Sequence, residues 1–314
     1  MNQFRKTLIR GEDGDRLFRY AVLGGALIIP LLMAGFFVQL GASSVPAWRE
    51  FGFGLITGSE WDPVANRYGA LPAIVGTLLT TAIAVAVAVP FGFVTALFLV
   101  NAPPWIGRPL SQALDLLAAI PSVIYGIWGL FVLVPVMQNR VMPFLADTLM
   151  LKKVPFFGDL FNGFGILTAS VILSLMILPY ISAIMRDVFA MTPTMLRESA
   201  YGIGCTRWEV AFDIVMRYGA RGILGGIFVG LGRALGETMA VLFVIGNIPA
   251  IPHSLFDSGT TISATLANNF AEADGMMRSV LFALGLLLLA MSFAVQLFAQ
   301  YYLSATGAKR GEKK

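Results

Sequence analysis

The chain has 314 residues, of which 57% are hydrophobic and only 13% charged. A soluble domain carries roughly 25% charged residues, so lipid must solvate much of this surface. The net charge of +4 and the single cysteine, Cys205, exclude an intrachain disulfide and leave no call for a nucleic-acid partner once the basic residues are placed along the chain.

A membrane-spanning helix needs about 20 predominantly apolar residues. Six segments meet this: Tyr20–Leu40, Leu71–Val100, Gln112–Met137, Gly163–Met185, Gly222–Gly246 and Ser279–Leu303. The first follows a basic stretch, as a signal peptide does. It is longer than a signal core and lacks a small-x-small cleavage site, so it reads as a retained first span. Pro90, Pro121 and Pro135 fall inside the second and third spans and are read as packing kinks. The expected class is therefore all-α, a polytopic membrane protein with six transmembrane helices.

Lys and Arg cluster on one side. With the N-terminus in the cytoplasm, the inside flanks hold Arg5, Lys6, Arg10, Arg16, Arg19, Arg108, Arg186, Arg197, Arg207, Arg217, Arg221, Lys309, Arg310, Lys313 and Lys314. The outside loops hold only Arg49, Arg67, Arg140, Lys152, Lys153 and Arg278. This bias places both termini in the cytoplasm, which requires an even number of spans. The division expected is a cytoplasmic segment 1–19, a transmembrane domain 20–303 with a cytoplasmic loop 186–221, and a basic tail 304–314. Of the outside loops, Gly41–Ala70 carries Trp48 and Trp61 as an interfacial loop would. Asn247–Arg278 holds the one histidine, His253, which without a partner cluster reads as structural or incidental.

The loop 186–221 reads as two short helices. Thr192 as N-cap with Pro193 at the first helical position starts one, and Leu196, Ala200 and Ile203 form its apolar face. Gly204 ends it. Thr206 and Glu209 form a capping box for the second. Such elements span nothing and suit a docking surface for a soluble partner.

The fifth span carries Arg233 and Glu237, four residues apart and on one face of a regular helix, near the middle of the membrane. A charge there costs about 2.5–3.5 kcal/mol on insertion scales, more than an exposed ion pair returns, so a role in a substrate pathway is expected for Arg233, Glu237 and the following Thr238. A guanidinium is a forked donor suited to oxyanions, and a carboxylate is an acceptor, a combination that fits hydrogen phosphate better than fully ionised sulfate. Gly226 and Gly230, and Gly232 and Gly236, have the small-xxx-small spacing of close helix packing. The glycines do not make a dinucleotide fingerprint: one residue too many separates the second and third, and no strand precedes them.

Three segments together are similar to one family. Glu198-Ser199-Ala200, Gly204 and Ile214 match the E-A-A-x3-G-x9-I motif of ABC-importer permeases, with Met216-Arg217 where Leu-Pro is usual. Residues 230–247 resemble the fifth helix of phosphate ABC permeases of the PstC type, in which Arg and Glu at these positions are tied to phosphate uptake. Residues 121–129 resemble that family's third span. The resemblance covers residues 121–247 and implies a type I ABC importer permease fold. It implies that Glu198, Ser199, Ala200, Gly204 and Ile214 belong to the loop that docks on the ATPase. The partners it implies are a PstA-type permease subunit, a dimer of ATP-binding subunits and an extracytoplasmic phosphate-binding protein. It implies no cofactor bound by this chain, with ATP and Mg used by the partner subunits, and import of phosphate across the cell inner membrane by alternating access. There is no G-x-x-x-x-G-K-[ST] loop, so the chain is not expected to be an enzyme or to be the ATPase by that route. The alternatives are a permease for sulfate or molybdate, an ion-coupled secondary transporter, for which no clear internal repeat is found, and an intramembrane enzyme, for which the buried ionisable residues are too few.

Overall fold

The computed structural model describes residues 12–148 and 162–311. Arg5, Lys6, Arg10, Lys152, Lys153, Lys313 and Lys314 lie outside the described residues. Six helices are long and apolar enough to cross a membrane. They are α1 (Glu12–Phe51), α3 (Leu71–Asn101), α5 (Ser122–Ala146), α6 (Ile166–Ala190), α8 (Arg207–Leu235) and α11 (Gly275–Gly311). Between them lie α2 (Gly54–Thr57), the hairpin β1 (Trp61–Asp62) and β2 (Arg67–Tyr68), α4 (Pro104–Ala119), α7 (Thr194–Gly202), α9 (Met239–Leu242) and α10 (Ile262–Asn269).

The centre of the bundle is α6. It is the most buried span, and α3, α8, α5 and α4 pack around it. Its inward residues Ile166, Ile172, Leu173, Met176, Ile177, Ile181, Met185 and Phe189 are all fully buried. Their partners on the neighbours are small. Ala84, Ala88 and Ala96 on α3 are buried, and a methyl group built at Gly219, Gly222, Gly226 or Gly230 of α8 would lie 2.5–2.7 Å from Val188, Ile184 or Ile181. Glycine therefore sets the distance between α6 and α8, as dispersion packing in lipid requires. Gly232 instead faces Gln296 of α11, and a methyl at Gly236 would make only ordinary contact with its own helix.

Several sequence-derived boundaries move. The first helix runs from Glu12 to Phe51, far past Leu40, so Trp48 is helical rather than in a loop. The reason is tertiary: the Ala47 amide donates to Ser279 Oγ and the Ser279 hydroxyl donates to the Ser43 carbonyl, which zips the end of α1 to α11. The fourth and sixth spans also extend, to Ala190 and from Gly275.

The third span starts at Ser122 rather than Gln112. Pro121 disfavours helical geometry at Ile120, which is extended (φ −64°, ψ 130°). Residues 104–119 form the separate amphipathic α4, tied to α6 by an Asp115–Arg186 ion pair at 3.5 Å. Within α5, Pro135 is accommodated where the helix alternates between α and π turns.

The loop Asn247–Arg278 contains α10, which is held against α3. The Ile262 amide donates to Thr77 Oγ1 at 3.0 Å, and the Thr260 carbonyl is so near Gly76 that a Cβ there would sit 1.9 Å away. His253 lies beside Asp257, whose carboxylate is taken up by the backbone amides of His253 and Ser254.

Candidate functional site

The fifth span is interrupted where its charged residues sit. The helix that was expected to run from Gly222 to Gly246 ends at Leu235, and Gly236-Glu237-Thr238 leads into the one-turn α9. Arg233 is in the last turn of α8. Glu237 is beyond it, so the two do not share a helical face. Among the described residues no carboxylate lies within 4.0 Å of the Arg233 guanidinium. Glu237 has a different partner: its Oε1 accepts from the Ala240 amide at 3.2 Å and so caps the start of α9. Thr238 Oγ1 is 3.4 Å from the Gly236 carbonyl in the same turn.

Arg233 is exposed and lies over an aromatic face instead. Its Cζ is 5.4 Å from the centroid of the Tyr180 ring. Tyr180 is on α6, about 21 Å from Ile166 and about 15 Å from Ala190 at 1.5 Å per residue, so the guanidinium is held near the middle of the crossing. A cation over a tyrosine ring gains about 0.5–2 kcal/mol, rising as water is excluded. Tyr125, in the first turn of α5, donates its hydroxyl to the Leu117 carbonyl at 2.9 Å. Gly126 beside it fits against Met239 and Ala240 of α9, where a methyl would lie 2.8 Å from the Met239 carbonyl. The start of α5, after the break at Pro121, thus packs against α9, which follows the break at Gly236–Thr238. The family-like stretch 121–129 contained Tyr125. Nothing in the sequence singled out Tyr180, because its role depends on α6 packing against α8.

The second candidate site is the loop between α6 and α8. Thr192 does not cap α7. Its hydroxyl is buried without a hydrogen-bond partner, and Pro193 occupies the cap position. The loop is instead held by Arg197, which donates from Nη2 to the Phe189 carbonyl at the C-terminal end of α6, a favourable place for a cation. Of the expected apolar face, Ala200 is buried, Leu196 is partly exposed and Ile203 is 84% exposed. Glu198 and Ser199 are exposed. Gly204 has φ +92° and ends α7, a conformation that penalises residues with a Cβ.

The Thr206–Glu209 capping box is present in both directions, but the helix it starts does not stop. It continues through a π turn at Val210–Val215 into the membrane span. Met216-Arg217 stands where a Leu-Pro would interrupt the chain, and without the proline the amide ladder is unbroken. Ile214 is partly buried and packs against the core. Phe212 meets Phe93 of α3 at 5.6 Å, and Phe93 meets Phe189 of α6 at 5.4 Å between ring centroids. An exposed loop is thereby joined to three spans by one aromatic row.

With this geometry in place, the chain can be set beside known proteins. Residues 88–304 match the model of the binding-protein-dependent transport system inner membrane components. The chain belongs to this family. The permease is 46% identical over 311 residues to the phosphate transport system permease protein PstC of Mesorhizobium japonicum, covering 97% of this chain and 94% of the relative. It is 49% identical to the PstC of Xylella fastidiosa (strain 9a5c), covering 96% and 94%. A probable PstC from Methanocaldococcus jannaschii is 33% identical over 95% of each chain. Among solved structures, a chain of a bacterial ABC transporter involved in alginate import superposes with a TM-score of 0.62, covering 97% of the permease and 99% of that chain at 16% identity. The permease therefore has the type I ABC importer fold and is a multi-pass inner membrane protein of a multi-subunit transport system.

Proposed function

We propose that the permease is the membrane subunit of an ATP-driven importer of inorganic phosphate. The PstC-named relatives support the substrate. The observation that carries the site is the Arg233 guanidinium, held near mid-membrane on Tyr180 with no carboxylate within 4.0 Å among the described residues. An arginine so placed has its forked donors free for an oxyanion. The start of α5, with the positive end of its helix dipole, packs against α9, just beyond the break that follows Arg233. Glu237, whose Oε1 caps α9, keeps Oε2 to accept a proton from hydrogen phosphate, and Thr238 adds a hydroxyl. A fully ionised sulfate brings no such proton, which favours phosphate over sulfate or molybdate.

Energy enters at the other site. Both termini are assigned to the cytoplasm, with the Glu198–Arg217 loop on that side. Exposed Met195, Ile203 and Trp208, with Glu198 and Ser199, form the face that docks on an ATP-binding subunit. Nucleotide-driven closure of the ATPase dimer moves α7. Arg197 and the Phe212–Phe93–Phe189 row carry that movement into α6, α3 and α8. A PstA-type permease completes the membrane pathway, and an extracytoplasmic phosphate-binding protein delivers the ion. ATP and Mg belong to the partner chains.

The test is labelled-phosphate uptake in a strain lacking the chromosomal copy. Arg233→Gln is expected to abolish uptake while the complex still purifies with its partner subunits. Normal uptake by that variant would overturn the assignment of the site.

A further inference from the structure

The last span carries a polar stripe within its apolar run. From Val280 to Gln300 its only polar side chains are Ser292, Gln296 and Gln300. They recur every four residues and so fall along one side of α11. Gln296 and Gln300 are exposed, and neither side-chain amide makes a hydrogen bond among the described residues. An amide facing hydrocarbon without a partner is costly, so this side of α11 is suited to water, protein or a polar ligand.

The contact between α8 and α11 shows where the stripe lies. Gln296 rests against Gly232, where a Cβ would be 2.7 Å from its Nε2. Gly232 immediately precedes Arg233. Val229, Gly232, Arg233 and Gly236 share one face of α8 at i, i+3, i+4, i+7 spacing, and Val229, Arg233 and Gly236 are exposed. Gln296 therefore borders the open face that carries the guanidinium. Four residues before Gly232, Phe228 meets Phe298 at 6.5 Å between ring centroids, so the two helices run antiparallel. In that register Ser292 is level with Gly236 at the break, and Gln300 lies about one turn from Gln296 toward the start of α8.

We propose that Gln296 and Gln300 line the route by which the oxyanion leaves Arg233 for the cytoplasm. This rests on the reading of Arg233 as part of the phosphate path. A carboxamide donates two N–H groups to phosphate oxygens, and its carbonyl accepts the proton of hydrogen phosphate. It carries no net charge, so it replaces water of hydration without trapping the ion as a second guanidinium would. Passage needs sites favourable enough to enter and weak enough to leave.

The experiment uses the complete complex in nanodiscs, with 2-sulfonatoethyl methanethiosulfonate as an anionic, water-borne thiol probe. Mass spectrometry places each adduct, so modification of Cys205 is read separately. Gln296→Cys and Gln300→Cys are expected to react, and inorganic phosphate to slow them where chloride at equal ionic strength does not. Ala294→Cys is the control: it is exposed but lies two residues, about 200° around the helix, from Gln296, and should stay unmodified. In proteoliposomes, Gln296→Leu should lower the maximal rate of phosphate uptake roughly two- to tenfold, the effect of one net hydrogen bond, with assembly unchanged. Gln296→Asn keeps the amide and should recover part of the loss. Unreactive thiols at both positions, or reaction that phosphate does not slow, would overturn the proposal. So would efficient short-range crosslinking of Gln296→Cys to the second permease chain, which would make the amide a helix-packing contact. Arg233→Gln separates the two readings. Normal uptake by that variant removes the anion path itself, whereas lost uptake there, with normal uptake by Gln296→Leu, removes the stripe alone.

Discussion

Arg233 and Tyr180 meet across the α6–α8 contact, with the guanidinium carbon 5.4 Å from the ring centroid. The ring face, rather than Glu237, is what holds the arginine in place. This separates the two parts of tyrosine. The ring supplies the cation–π attraction, and the hydroxyl is not needed for it. Tyr180→Phe is therefore expected to keep phosphate uptake within about twofold of wild type, while Tyr180→Leu loses about 0.5–2 kcal/mol of positioning. In kinetics of uptake, the leucine variant should show a raised half-saturation concentration or a lowered maximal rate by roughly two- to thirtyfold. Equal uptake by both variants would remove Tyr180 from the site.

The glycines of α8 differ in what surrounds them. A Cβ at Gly230 would lie 2.7 Å from Ile181, whereas at Gly225 nothing lies within 4 Å. Gly230→Val should destabilise the α6–α8 contact by about 1–3 kcal/mol, the usual cost of overpacking. Gly225→Ala should leave stability unchanged or slightly raised, since alanine is the better helix former. Thermal unfolding of the purified complex in detergent, followed by tryptophan fluorescence, distinguishes the pair.

Gly204 sits at φ +92° with open space around its Cα. Any cost of Gly204→Ala is then conformational rather than steric contact, about 1–2 kcal/mol by analogy with left-handed backbone in L-residues. The change is local to the end of α7. The expected outcome is a normally assembled complex whose ATP hydrolysis is poorly coupled to phosphate uptake, measured as phosphate moved per ATP consumed in proteoliposomes. Unchanged coupling would show that the α7 ending tolerates a shift.

The capping box at the start of α8 offers a test of local order. Thr206 accepts from the Glu209 amide at 3.3 Å, and the Glu209 carboxylate accepts from the Thr206 amide at 2.7 Å. Thr206→Ala removes one direction and should cost about 1 kcal/mol. Amide hydrogen exchange over residues 206–210 should accelerate roughly fivefold while exchange within the α6 core stays the same. No change in that segment would mean that the π turn and the Phe212 row hold the helix end without the cap.

Sequence by itself determined the number of crossings, the class of fold and the family. These follow from apolar run length and from motifs that survive without knowledge of packing. It also located the capping box, since both partners are within three residues of each other, and it marked Arg233, because an intramembrane charge is visible to hydropathy alone. Tertiary structure decided the rest. Hydropathy is blind to a break between two apolar stretches, so it joined α8 to α9 and placed Glu237 on a helical face that does not exist there. Proline signals a boundary only when its neighbours cannot absorb the lost amide: Pro121 ends a segment, whereas Pro90 sits within α3. The partner of Arg233 and the carbonyl gripped by Arg197 both lie on other elements of the chain. Such pairings exist only once the helices are packed, because the free energy that selects them comes from contacts between segments rather than within one.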